Sequence, residues 1–181
     1  MRLPSLLFAL VLAACSTSEV RLVAAPVVTA GERIPTRFQS IEVMDVSLPA
    51  YAAGEDVAVA DGNTLALSSL LWADDPTRSV TLALTRNLKE LTGARVASEP
   101  WPFSDDPSAR VDVRVEQMLV TGAELRLSGQ YFLADLEDEG RDHAHLFDLR
   151  AGIDGLSAEA LATGRAELIA ELARAIARDA L

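Results

Sequence analysis

Hydrophobic positions recur along this chain with helical spacing in two places and with strand-like alternation between and before them. The clearest helical stripe is Val80, Leu84, Leu88 and Leu91, spaced four, four and three residues apart. It is bracketed by Asp75 in the N-cap position, Pro76 at the first helical residue, where its missing N–H removes no hydrogen bond, and Gly93 where a left-handed C-terminal cap is wanted. A second stripe begins after a Ser157 cap and predicts a helix to about residue 180. Leu161, Leu168, Ile169, Leu172 and Ile176 are assigned inward, and Arg165, Glu171, Arg174 and Arg178 outward. Between the helices the period falls to two. Val111, Val113 and Val115 share a face in a strand over 110–120, followed by strands over 124–133 and 143–150, with Thr121-Gly122 and the acidic stretch 135–142 as turns.

The first part of the chain alternates less regularly. Residues 37–46 (Phe38, Ile41, Val43, Val46) predict a strand that ends at Ser47-Leu48-Pro49. The runs 57–60 and 64–67 flank Asp61-Gly62-Asn63, a tight-hairpin signal because an Asp-Gly pair tolerates positive φ. Ahead of these, the apolar run 20–28 predicts one early strand, and Pro26, Gly31 and Pro35 make the rest to residue 36 a tether. Strands, helix, strands, helix implies an α/β fold of the mixed α+β kind: a single sandwich in which two main helices pack on a mixed, largely antiparallel sheet. The expected organisation is a leader at 1–14, an early strand and tether at 15–36, and one domain at 37–181.

The extreme N-terminus changes the picture from a free domain to an anchored one. Arg2, an apolar run over 3–12 and the small residues Ala13-Ala14 form a secretory leader, and its length of roughly ten apolar residues is too short to cross a bilayer. Leu12-Ala13-Ala14-Cys15 places the one cysteine of the chain where the bacterial lipobox requires its thiol. Cys15 is therefore the expected site of acylation, which leaves no cysteine for a disulfide or a thiol nucleophile. Each buried acyl methylene contributes roughly 0.8 kcal/mol, so the acyl chains alone can hold a protein on a membrane. Ser16 and Thr17 follow the cysteine. Without the aspartate of the inner-membrane sorting rule, the expected address is the periplasmic face of the outer membrane.

Cleavage leaves 167 of 181 residues and changes the net charge from −11 to −12, since Arg2 departs with the leader. A chain this acidic is repelled by nucleic acid and by anionic headgroups, which disfavours both as partners. Catalytic patterns are sparse. His143 and His145 would share one strand face, but no third ligand completes a metal set, and such a pair ordinarily ends a strand at solvent. No nucleophile elbow, phosphate loop or His-Glu-x-x-His helix occurs, so an enzyme is not expected, and neither is a cofactor or a metal. The pairs Asp74-Asp75 and Asp105-Asp106 each precede a proline at a loop or helix start and are assigned as caps. What remains are apolar residues in expected loops: Leu48, Pro49 and Tyr51, then Trp72, then Trp101 and Phe103. Aromatic rings on stiff loops are enriched at protein interfaces, and these six are the candidate partner-binding residues. Their alternative role is to close the ends of the core.

Taken in order, several motifs resemble the ABC-type transport auxiliary lipoproteins, the PqiC group. They are the lipobox, the strand ending in Val46-Ser47-Leu48-Pro49-Ala50-Tyr51, the 57–67 hairpin, Trp72-Ala73-Asp74-Asp75-Pro76, the Trp101-Pro102-Phe103 loop and the strand Val111-Asp112-Val113-Arg114-Val115. Ala52-Ala53-Gly54-Glu55-Asp56 departs from the run that usually follows the Leu-Pro-x-Tyr loop in that group. The resemblance implies a non-catalytic outer-membrane adaptor that works with an inner-membrane ABC transporter and permease and with an MCE-domain (mammalian cell entry) protein. Such systems move lipids or other hydrophobic molecules. It also makes a homo-oligomeric ring an expected form. The competing expectation is a lipid or small-ligand carrier with its own cavity between sheet and helices and Trp72 at the mouth.

Overall fold

The computed structural model describes residues 21–24, 26, 31–137 and 141–181. Cys15, the leader and residues 16–20, 25 and 27–30 of the expected early strand and tether lie outside the described residues. The elements in chain order are β1 (Arg21–Val23), β2 (Ser40–Val43), α1 (Ala50–Ala53), β3 (Asp56–Asp61), β4 (Thr64–Trp72), α2 (Pro76–Thr92), β5 (Arg95–Ser98), β6 (Ala109–Thr121), β7 (Glu124–Asp135), β8 (His143–Gly152) and α3 (Ala158–Asp179). The fold is mixed α+β, an open mixed sheet of eight strands with its helices.

β6 organises the sheet. Along one edge it pairs with β7 from Ala109↔Asp135 to Thr121↔Glu124, and β7 in turn pairs with β8, both antiparallel. Its other edge is divided. β2 joins the first part in parallel and carries β5, whereas β3 joins at Val59↔Val120 and carries β4 and β1. The long ladders are antiparallel, and the parallel pairings are short.

A bulge reconciles this length with one buried face. The register shifts between Val115 and Gln117, so Glu116 has no partner residue. Val111, Val113 and Val115 are buried before the bulge, and Met118 and Val120 after it, so the extra residue restores the inward phase that the alternation would otherwise lose. Gly129 lies opposite Val115. A Cβ there would stand 2.2 Å from the carbonyl oxygen of Arg114 and 2.9 Å from the Val115 Cα, so only glycine allows the bulged strand to approach so closely.

α2 forms as its stripe predicts. The Asp75 side chain accepts from the Arg78 N–H at 2.8 Å, and Gly93 closes the helix at φ 72°, its N–H bonded to the Lys89 carbonyl. Val80, Leu84, Leu88 and Leu91 are 0–1% exposed, and each such burial contributes about 1.5–3 kcal/mol. α3 starts from the Ser157 cap and packs beside α2, against β8, β7 and β1.

Several expectations change. The Leu48-Pro49-Ala50-Tyr51 loop contains a short helix, α1, because the Pro49 carbonyl accepts from both Ala52 and Ala53. β5 was not anticipated: with Val96 as its one large apolar residue, it is too short to show a period, and it forms by adding in parallel to β2. The early strand is part of the sheet, since β1 pairs with β4. Residues 31–36 are held on the domain by Ile34 N–H to the Leu91 carbonyl (2.9 Å) and Thr36 Oγ1 to the Leu181 carbonyl (3.0 Å), so this stretch is no free tether.

Gly129→Ala should lower unfolding free energy by at least about 3 kcal/mol in chemical denaturation, because backbone rather than a movable side chain blocks the new methyl. Gly152→Ala, where nothing lies within 4 Å, should be close to neutral.

Candidate functional site

The loop from β5 to β6 folds back over Arg95, the first residue of β5. The Trp101 indole N–H donates to the Asp105 carbonyl at 2.5 Å, and its ring meets Phe103 edge-to-face at 5.0 Å and 67°. The Arg95 guanidinium lies 4.7 Å over the Phe103 ring and 5.7 Å from that of Trp101, while pairing with the Asp105 carboxylate. That hydrogen bond holds the Asp105 carboxyl below its usual range. Asp105 therefore fastens a loop rather than capping a helix, because the next element is a strand. Trp101 ends half-buried, and Phe103, 43% exposed, stands outward on a loop braced by its own contacts.

The other loop candidates lie elsewhere. Leu48, Pro49 and Tyr51 follow the C-terminal end of β2, whereas Phe103 sits on Arg95 at the start of β5, which runs parallel to β2. Leu48 and Tyr51 are half-buried against the core. The structure thus does not gather the candidate aromatics into one surface.

Trp72 departs further from expectation. It is the last residue of β4, five residues beyond the expected strand end at Leu67, and only 3% exposed. Its backbone N–H donates to the Glu55 carbonyl at 2.7 Å, and its ring faces inward. The ring carries Arg165, whose Cζ lies 4.1 Å from the ring centroid. Arg165 was expected to point outward and is 4% exposed. The spacing held the signal: residue 165 is four after Leu161 and three before Leu168, inside the apolar stripe, and the charge alone argued otherwise. Burial pushes its pKa down to about 10, against the opposing pull of Asp74, so the group remains a cation at neutral pH. Among the described residues its Nε and Nη1 find no hydrogen-bond acceptor, although a buried unsatisfied donor costs about 1–3 kcal/mol.

The histidines occupy the start of β8. His143 is exposed, and His145 stacks on Tyr131 at 5.2 Å, with 6.2 Å between the two imidazoles. The Tyr131 hydroxyl donates to Asp179 Oδ2 at 3.4 Å, and burial first, then the Asp179 charge, pushes its pKa up to about 12. Among the described residues, no group of three or more His, Cys, Asp or Glu side chains could hold a metal. Among them also, no helix is long and apolar enough to cross a membrane.

The family model of the ABC-type transport auxiliary lipoprotein component matches residues 21–177, nearly the whole of the described fold. The chain belongs to this family of transport auxiliary lipoproteins. Two crystal structures share the fold of this auxiliary lipoprotein. One, of an uncharacterised protein, has a TM-score of 0.72 at 18% identity and covers 89% of this chain and 99% of its own. The other, from Xanthomonas campestris, has a TM-score of 0.67 at 12% identity, with coverage of 88% and 93%. More distant is a PelC dodecamer from Paraburkholderia phytofirmans, with a TM-score of 0.46, 15% identity and coverage of 82% and 91%. No curated protein matches the chain.

Trp72→Ala should cost about 3–5 kcal/mol of stability, because it opens a core cavity and strands the cation above it. Arg165→Met, which keeps the packing and removes the charge, should stay within about 1 kcal/mol of the parent or exceed it, as measured by denaturant unfolding.

Proposed function

We propose that this auxiliary lipoprotein is a non-catalytic adaptor, held under the outer membrane by an acylated Cys15, that docks an MCE-domain protein of an ABC-type system moving lipids or other hydrophobic molecules. Family membership supplies the transport role, and the observation that carries the docking is Phe103. A large ring left 43% exposed on a loop pinned by Trp101, Arg95 and Asp105 has little conformational entropy left to lose on binding.

The interior supports an adaptor over a carrier. Leu84, Leu88, Leu91, Leu161, Leu168, Leu172 and Ile176 are each 0–2% exposed and fill the space between helices and sheet where a carrier would hold its cargo. Trp72, expected at the mouth of such a cavity, is packed inside. The His143–His145 pair, with one ring at solvent and the other on Tyr131, gives an enzyme reading no support. Copies of the chain would gather as a ring around the partner, since repeated weak contacts of one exposed ring per copy gain strength through multivalency.

The anchor sets the geometry. Arg21, the first residue of β1, is six residue steps beyond Cys15, and a fully extended chain rises at most about 3.3–3.6 Å per residue. The sheet would then lie within about 20 Å of the acylated cysteine, and reach toward a distant partner would have to come from that partner.

Purification of the full-length protein from gently solubilised envelopes, with crosslinking and mass spectrometry, tests the adaptor. An MCE protein should be recovered, with crosslinks from the Trp101–Phe103 loop. Phe103→Ala should reduce that recovery about tenfold with an unchanged melting temperature, as for an interface anchor of about 1–2 kcal/mol. Undiminished recovery would move the docking surface elsewhere, and recovery of the protein alone with bound lipid would favour the carrier. Cys15→Ser should release the protein from the membrane fraction.

A further inference from the structure

The buried cation is unexplained by packing alone. The Arg165 Cζ lies 4.1 Å from the centroid of the Trp72 ring, a cation–π contact that gives the guanidinium's N–H donors no acceptor atom. Two of its donor atoms, Nε and Nη1, are buried with no acceptor among the described residues. Arg165 lines a cleft of about 280 Å³ between β1, the β4–α2 corner and the two long helices. Val23, Pro26, Leu82 and Ala83 supply its apolar lining, and Arg86 adds a second cation.

We propose that this cleft binds an oxyanion carried on a short apolar body, with the edge of the Arg165 guanidinium as its receptor. A guanidinium with donors left unpaired matches the oxygens of a phosphate or carboxylate, and burial of the cation strengthens the attraction relative to one at the surface. The Trp72 ring holds the guanidinium through a cation–π contact without consuming its donors. Leu82, 42% exposed on α2, offers the apolar body a wall next to the solvent.

One group opposes the anion. Asp74 also lines the cleft, but its Oδ2 accepts from Arg78 Nη1 at 2.5 Å and its Oδ1 from the Asp75 N–H at 3.0 Å, so its charge is already engaged. Arg86 and Arg165 leave the lining with a net positive charge in a chain of net charge −11. Long-range attraction therefore cannot draw the anion in, and recognition depends on these local donors.

Calorimetry and tryptophan fluorescence on the full-length protein in neutral detergent, with butyl phosphate and inorganic phosphate as probes, test this site. Butyl phosphate should bind saturably at one site per chain and perturb the emission of Trp72, with inorganic phosphate at least tenfold weaker. Arg165→Met should weaken butyl phosphate binding at least tenfold. Leu82→Glu, at a solvent-accessible helix position that tolerates a charge, should do the same without touching the buried group. Equal affinity for the two phosphates would overturn the apolar half of the proposal. Failure of butyl phosphate to bind, or binding unchanged in both variants, would overturn all of it.

Discussion

The pairing of β6 holds the molecule together. This one strand is laddered to β7 along its whole length and divides its other edge between two smaller groups of strands. Everything else is attached to one side of it or the other: β8 through β7, β5 through β2, and β4 with β1 through β3. A thirteen-residue strand cannot serve so many partners with a flat, regular ladder. The bulge at Glu116 bends it and resets its phase, and Gly129 gives the bulge the room it needs. The two long helices then cover a face whose apolar side chains all point the same way.

Most of the buried polar groups among the described residues find protein partners; the Asn87 Oδ1 and the Arg165 guanidinium are the exceptions. Ser40 and Ser108 bond to each other's backbone and side chains across β2 and the start of β6, and the buried Glu42 pairs with Arg110 at 2.7 Å. Asp135, 6% exposed, pairs with Arg37 at 2.9 Å. Each of these groups replaces the water it lost with a protein partner. Arg165 does not: it has an aromatic ring and a nearby carboxylate's field, but no acceptor for Nε and Nη1 among the described residues. In a fold that satisfies its other buried ions, an orphaned cation beside a cleft points to a role outside stability.

The surface divides along similar lines. The Trp101–Phe103 loop is fixed by an indole hydrogen bond, an edge-to-face contact and a guanidinium over the rings, and it still leaves Phe103 in water. Leu48 and Tyr51 are instead drawn onto the core around the short helix α1. Membership of the transport auxiliary lipoproteins, a net charge of −11 and a filled interior fit the proposed docking role. The cleft at Arg165 adds a second kind of contact, to a small anion, on another part of the same domain.

Much of this was legible in the residues themselves, because it depends on neighbours in the chain. The Asp75-Pro76 start and Gly93 stop of α2, the hairpin turn at Gly62, the long β6–β7–β8 meander and the Ser157 cap of α3 are local signals, and each element forms where they place it. The order of motifs also identified the family. What the chain could not announce were features made by distant contacts. β5 has too few residues for a period and exists because β2 offers it an edge. α1 needs the Pro49 carbonyl held in place, and residues 31–36 are fixed by carbonyls of Leu91 and Leu181, far along the chain. Trp72 and Arg165 lie 93 positions apart, and their contact decides that one is no loop residue and the other no solvated charge. Local spacing sets which way a side chain points from its helix or strand. Only tertiary packing determines what it meets there, and the burial of a charge depends on that meeting.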